Sequence, residues 1–133
     1  MIKLIKKLLE AKNLLIIAIL FSIFITIAFL SPISGMPKID FIIPIDKVAH
    51  ITIYMLLAFI WMFYFYKVNG NILKINTIVI LLSLFLVYGT IIEVLQELFI
   101  DFRQADIFDV LANTFGSVLG LFVFKNVKNR IKT

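Results

Sequence analysis

The sequence predicts an all-α integral membrane bundle of four antiparallel transmembrane helices, and three features carry that prediction. Of 133 residues, 62% are hydrophobic and the mean hydropathy is +1.10, against about 45–50% apolar residues in a soluble domain. A water-soluble fold of this length has no interior large enough to hide that surface, so lipid must cover it. Four apolar runs approach or exceed the ~20 residues that a helix needs to cross a hydrocarbon core. The charges gather at the ends of those runs. The length allows one domain over residues 1–133, without a separate soluble module.

Residues 1–12 are basic and amphipathic, with Lys3, Lys6, Lys7 and Lys12 among leucines and isoleucines, which predicts a short helix on the cytoplasmic membrane surface. Residues 13–30 are an unbroken apolar run, longer than the ~7–15 residues of a signal-peptide core, and read as an uncleaved first span. Residues 31–45 hold all three prolines, Pro32, Pro37 and Pro44, with Gly35. That is loop chemistry, although residues 41–43 are apolar enough to dip into the interface. The second span runs from Asp46 to about Tyr66 and closes with Trp61, Tyr64 and Tyr66, which read as an aromatic belt. Residues 67–74, with Asn69, Gly70 and Asn71, form a polar turn. The third span covers residues 75–99, residues 101–105 make a tight connection, and the fourth span covers residues 106–124. Residues 125–133 read as a basic tail.

Ten of the thirteen Lys and Arg residues fall on one side of these spans, and seven of the eight acids on the other. The positive-inside rule makes the first side cytoplasmic. Both termini are then cytoplasmic, and the acidic side faces outward. Basic residues at span ends suit membrane anchoring rather than a nucleic-acid face, so membrane lipids are expected as partners and nucleic acid is not. The absence of cysteine excludes disulfides, thiolate metal sites and a cysteine nucleophile. No cofactor motif is present, and nothing in the sequence sets an oligomeric state.

The outward ends of three spans carry polar residues at helical spacing. Asp46, His50 and Tyr54 are four apart and share one stripe of the second span, with Lys47 beside them. Glu93, Gln96 and Glu97 lie on the third. Asp106, Asp109 and Asn113 form a stripe on the fourth that Gly116 and Gly120 continue as GxxxG, a pattern for close helix contact. At 1.5 Å per residue, Tyr54 lies about 12 Å below Asp46 and Asn113 about 10 Å below Asp106. Ionisable groups at such depth are costly and mark function by default. The inner halves of the spans hold no acid, lysine, arginine or histidine, which speaks against a through-going ion path.

Each of these residues has a bland and a sharp reading. His50 can serve as a general acid/base or be an interior histidine tied to Glu93 or Asp109. Glu93 and Gln96 can act as base and hydrogen-bonding partner or as interhelical polar glue. Glu97 and Asp101 read as solvated interface charges. Arg103 can clamp a carboxylate or phosphate or pair with Asp106 or Asp109. Asp109 and Asn113 can orient a ligand or cap the fourth helix, for which Asp106 is also a natural N-cap. Lys47 can reach headgroups. One histidine among carboxylates, without HExxH or a second histidine, argues against a metal site.

In combination, these residues resemble the VanZ-like membrane protein family. Asp46, Lys47, His50 and Tyr54 stand in the order DKxxHxxxY. Glu93, Gln96, Arg103, Asp106, Asp109, Asn113 and Gly116 follow an ExxQ…R…DxxxNxxG block. The match covers about residues 46–120. Many members have glycine where this chain has Phe102. The resemblance implies a protein of the bacterial cytoplasmic membrane, with a cell-envelope role linked to glycopeptide (teicoplanin) resistance.

Two functions are therefore expected to compete. In one, an outward-facing intramembrane pocket binds or acts on an anionic or lipid-linked envelope ligand. His50, Glu93 and Asp109 would carry the chemistry, and Asp46, Lys47, Tyr54, Gln96, Arg103, Asp106 and Asn113 would bind the ligand, without metal or cofactor. In the other, the chain is a non-catalytic structural or interaction protein whose polar cluster only stabilises helix packing. The second, third and fourth spans are expected to build the site, and the first to support them.

Overall fold

A computed structural model describes residues 10–31, 45–101 and 103–131. Its described residues form four helices and no strand: α1 (Ala11–Leu30), α2 (Ile45–Val68), α3 (Ile75–Phe99) and α4 (Ile107–Ile131). Each is long and apolar enough to cross a membrane. The predicted surface helix of residues 1–12 lies almost wholly outside the described residues, as do the proline-rich loop and the apolar residues 41–43.

Chain composition makes these elements. α1 holds no proline or glycine and only one charged residue, Lys12, so every backbone group can be satisfied within the helix, as a lipid environment demands. The α2–α3 turn uses Gly70 (φ +66°) and Asn71 (φ +65°), the two residue types that best tolerate left-handed backbone. The Asn71 amide donates back to the Tyr66 carbonyl at 2.9 Å, closing the C-terminus of α2. α4 runs on to Ile131, so what reads as a basic tail forms its last two turns. That stretch holds no helix breaker, and Lys128 and Arg130 complement the negative end of the helix dipole.

The outer faces are apolar: Leu20, Phe24, Ile27, Leu98, Phe99, Phe115 and Phe122 are all exposed, as suits side chains that meet lipid. The most extensive interface joins α2 to α4, while α1 packs on α2 and α3 and, among the described residues, not on α4. The α2–α4 contact is glycine-dependent. A Cβ on Gly116 would run into the Ile51 carbonyl oxygen and lie 2.9 Å from its Cα; one on Gly120 would lie 2.8 Å from Ala58 Cβ. This is the close approach expected from GxxxG, and it fixes which α2 residues face which α4 residues one turn nearer the acidic end.

Candidate functional site

The polar stripes of α2, α3 and α4 converge at that acidic end. His50 and Gln96 are fully buried, and Glu93, Asp109 and Asn113 are at most 3% exposed. His50 Nδ1 donates to Asn113 Oδ1 at 2.9 Å. The same nitrogen lies 3.9 Å from Glu93 Oε1, and Nε2 lies 3.8 Å from both Asp46 Oδ1 and Asp109 Oδ2. One imidazole thus faces three carboxylates drawn from three helices, with an amide fixing its ring.

Cations close the cluster above. Lys47 Nζ donates to both Asp106 and Asp109. Arg103 Nη2 stands 3.8 Å from Asp109 Oδ2 and 4.0 Å from Asp46 Oδ1. Lys47 and Arg103 keep a quarter to a third of their side-chain surface exposed, so they form the rim of the cluster, above the buried His50. Glu97 and Asp101 are exposed, as the sequence suggests.

Asp106 fills the predicted N-cap position: its Oδ1 accepts from the Phe108 amide at 2.8 Å. The hydrogen bond from Lys47, then that from Phe108, hold its carboxyl below the usual carboxylate range. A lowered folded-state value contributes stability that is present at neutral pH and is lost as pH falls through that value. Asp106→Asn should keep the cap but lose the ion pair, flattening the acid limb of a Tm-against-pH curve in detergent. Asp106→Ala should also lower Tm at neutral pH. An acid limb unchanged in Asp106→Asn would remove this account.

Ten residues singled out in the sequence therefore meet in one cluster, joined by two the sequence did not flag. Phe29, from α1, stacks on His50 with ring centroids 4.6 Å apart, and its carbonyl accepts from Gln96 Nε2 at 2.9 Å. The first span is thus a wall of the site as well as a support. Gly89 lies one helical turn below Glu93 on the same face. A Cβ there would come 3.0 Å from Asn113 Nδ2 and 3.2 Å from the Tyr54 hydroxyl, so its bareness admits both side chains. The available signal was a glycine four residues before an intramembrane glutamate.

Trp61 is half-buried between α1 and α2. It lies seven residues before the end of α2, about 10 Å deep, and donates to Ser22 Oγ at 3.1 Å. Thr26 and Tyr88 hydrogen-bond at 2.8 Å beside it. Trp61 therefore joins α1 to α2, while Tyr66 stands nearer the helix end.

Among the described residues, Asp46, His50 and Asp109 could each offer one metal-ligating atom, all within 4.8 Å of one another. The same carboxylates face Arg103, and Lys47 holds the other oxygen of Asp109. A metal ion would have to displace the guanidinium, so the donor set suits ion pairing better than metal binding.

A family model described as VanZ/LLP1 matches residues 3–128. The chain belongs to the VanZ/LLP1 family. Comparison with curated proteins and with solved structures gave no match. The VanZ/LLP1 match extends across α1 as well as the signature helices, in keeping with the contribution of Phe29 to the cluster. The position at which this VanZ/LLP1 chain departs from the signature, Phe102, lies outside the described residues.

Proposed function

We propose that this VanZ/LLP1 protein serves the cell envelope by binding, or acting on, an anionic or lipid-linked ligand at its buried polar cluster. The observation that carries this reading is that the cluster is only half satisfied. His50 Nε2, the Tyr54 hydroxyl, both Glu93 oxygens, Gln96 Oε1 and Asn113 Nδ2 are buried with no hydrogen-bond partner among the described residues. Each such atom costs about 1–3 kcal/mol. A cluster that served only to glue helices together would pair these groups, because a half-satisfied network is worse than an apolar core. Cohesion of α2 with α4 is already supported by Gly116 and Gly120.

In this reading the cluster faces the outer leaflet of a bacterial cytoplasmic membrane, with both termini cytoplasmic, following the charge asymmetry of the sequence. His50 and Glu93 form the acid/base pair, and Asp109 with Asn113 orients the imidazole. Lys47 and Arg103, at the rim, meet the anionic group; Asp46 and Asp106 hold those cations in position, and Tyr54 and Gln96 bind below. The family's link to glycopeptide resistance directs the test to teicoplanin.

His50→Ala and Glu93→Gln, made in a strain whose teicoplanin tolerance depends on this protein, should lower tolerance to nearly that of a strain lacking it. Loss of an acid or base commonly costs 10²–10⁴-fold in rate. Protein levels and Tm are to be measured alongside. Unchanged tolerance at equal protein levels would remove the assigned roles. A loss that tracks abundance alone would return the cluster to a structural part.

A further inference from the structure

The opposite end of the bundle carries a second feature, unrelated to the carboxylate cluster. Where α2 and α4 finish, Phe63, Tyr66, Lys67, Asn71, Lys128 and Ile131 line a cavity of about 190 Å³. The rings of Phe63, Tyr66 and Phe124 lock edge to face, with centroids 5.5–6.0 Å apart, and all three are buried. Two lysines from different helices converge on this aromatic floor. Lys67 Nζ lies 5.9 Å from the Tyr66 centroid and 6.0 Å from that of Phe63. Lys128 Nζ lies 6.0 Å from the same Tyr66 ring.

A cation in the last turn of each helix is ordinary, since it complements the helix dipole. That does not explain why both ammonium groups share one ring. Among the described residues neither lysine makes an ion pair. The described acid at this end, Glu10, stands at the start of α1, which does not pack on α4. Two half-buried like charges held over one ring, without a carboxylate, leave a local excess of positive potential. The left-handed turn at Gly70 and Asn71 brings Asn71 to the cavity as an uncharged hydrogen-bonding group.

We propose that this cavity binds a phosphate group, with Lys67 and Lys128 as its two cations and an anionic phospholipid headgroup as its main source. The volume decides the size class. It is below the ~300–1,000 Å³ of ordinary small-molecule pockets and equals roughly six water volumes, which suits one headgroup phosphate rather than a larger ligand. Basic pockets between helix ends are also the places where anionic headgroups bind membrane proteins.

Purified full-length protein in a zwitterionic detergent would be titrated with dioleoylphosphatidylglycerol, with inorganic phosphate, and with dioleoylglycerol, which lacks phosphate. Native mass spectrometry would read lipid occupancy, and Tm would read phosphate binding. Phosphatidylglycerol should bind and dioleoylglycerol should not. Lys67→Gln and Lys128→Gln should each weaken binding about fivefold, and the double variant more than either. Lys67→Arg and Lys128→Arg should restore it. Lys125→Gln removes an exposed charge from the same end of α4 without touching the cavity, and should have little effect. Lysine-dependent binding of inorganic phosphate without the lipid would retain the phosphate site and reject the lipid source. Equal weakening by Lys125→Gln, or binding that survives the double variant, would overturn the proposal.

Discussion

Gly116→Val is expected to be the most damaging single substitution in the chain. The first added carbon would already overlap the Ile51 carbonyl, and that obstacle is backbone, which cannot swing aside as a flexible side chain can. Overpacking typically costs 1–3 kcal/mol when side chains can adjust; here the two helices must separate, so a loss of about 3 kcal/mol or more is expected. In a bilayer, helix association rests on close packing because lipid is as apolar as the helix surface, so little else offsets a lost contact. The separation should also break the His50–Asn113 hydrogen bond, since Asn113 lies three residues from Gly116 and His50 is next to Ile51. A large fall in Tm and the loss of a monodisperse peak on size exclusion in detergent would be measured. Gly70→Ala is the comparison: nothing stands within 4 Å of its Cβ, and its φ of +66° should cost only about 1 kcal/mol. A Gly116→Val protein that melts with the wild type would refute the glycine-contact account.

Lys47→Met should have the second-largest effect. It removes the ammonium that hydrogen-bonds Asp106 and Asp109, and Asp109 is a buried carboxylate. Breaking a buried pair costs about 3–5 kcal/mol when a charge is left uncompensated. Lys47 is a quarter exposed and Arg103 still faces Asp109, which lowers the expectation to about 2 kcal/mol after solvent screening. The stranded charge, rather than the lost lysine, should dominate. Lys47→Met with Asp109→Asn should therefore recover a large part of the loss, giving a coupling of roughly 1–2 kcal/mol in a double-mutant cycle. Equal destabilisation of the single and double variants would show that the lysine acts through its packing instead.

The two substitutions probe different supports of one site. Gly116 sets the distance and rotation of α4 against α2, whereas Lys47 balances the charge that this approach concentrates. Neither residue belongs to the proposed acid/base pair. Losses of function at His50 or Glu93 can therefore be compared with Gly116→Val, whose failure is one of folding, and with Lys47→Met, which removes a proposed ligand-facing cation as well as the charge balance of Asp109.

Some of this was open to a reader of residues alone. Asp46, His50 and Tyr54 recur at four-residue spacing, as do Asp109 and Asn113, and a helix puts such residues on one face whatever surrounds it. GxxxG carries its meaning in its spacing, and Asp106 before an apolar run is a local capping signal. Phe29 and Gly89 were not legible in this way. A phenylalanine among apolar residues and a glycine in a span become part of a site only when a particular neighbour lies against them. The same holds for Trp61: its place near the end of an apolar run fits a belt, but its partner is Ser22, 39 residues away.

The sequence by itself determined the four spans, the segregation of acids from bases and the ten polar residues of the cluster. Lipid requires each spanning segment to satisfy its own backbone, so the spans are written locally in length and composition. Only the tertiary structure decided that Asn113 fixes His50 across 63 residues, that α1 supplies a wall of the cluster, and that Lys67 and Lys128 share the Tyr66 ring. Those pairings depend on how each helix is rotated about its axis. Helices that are apolar nearly all round carry little of that information in their pattern. Here it resides in contacts such as Gly116 on Ile51, made only when two distant segments meet.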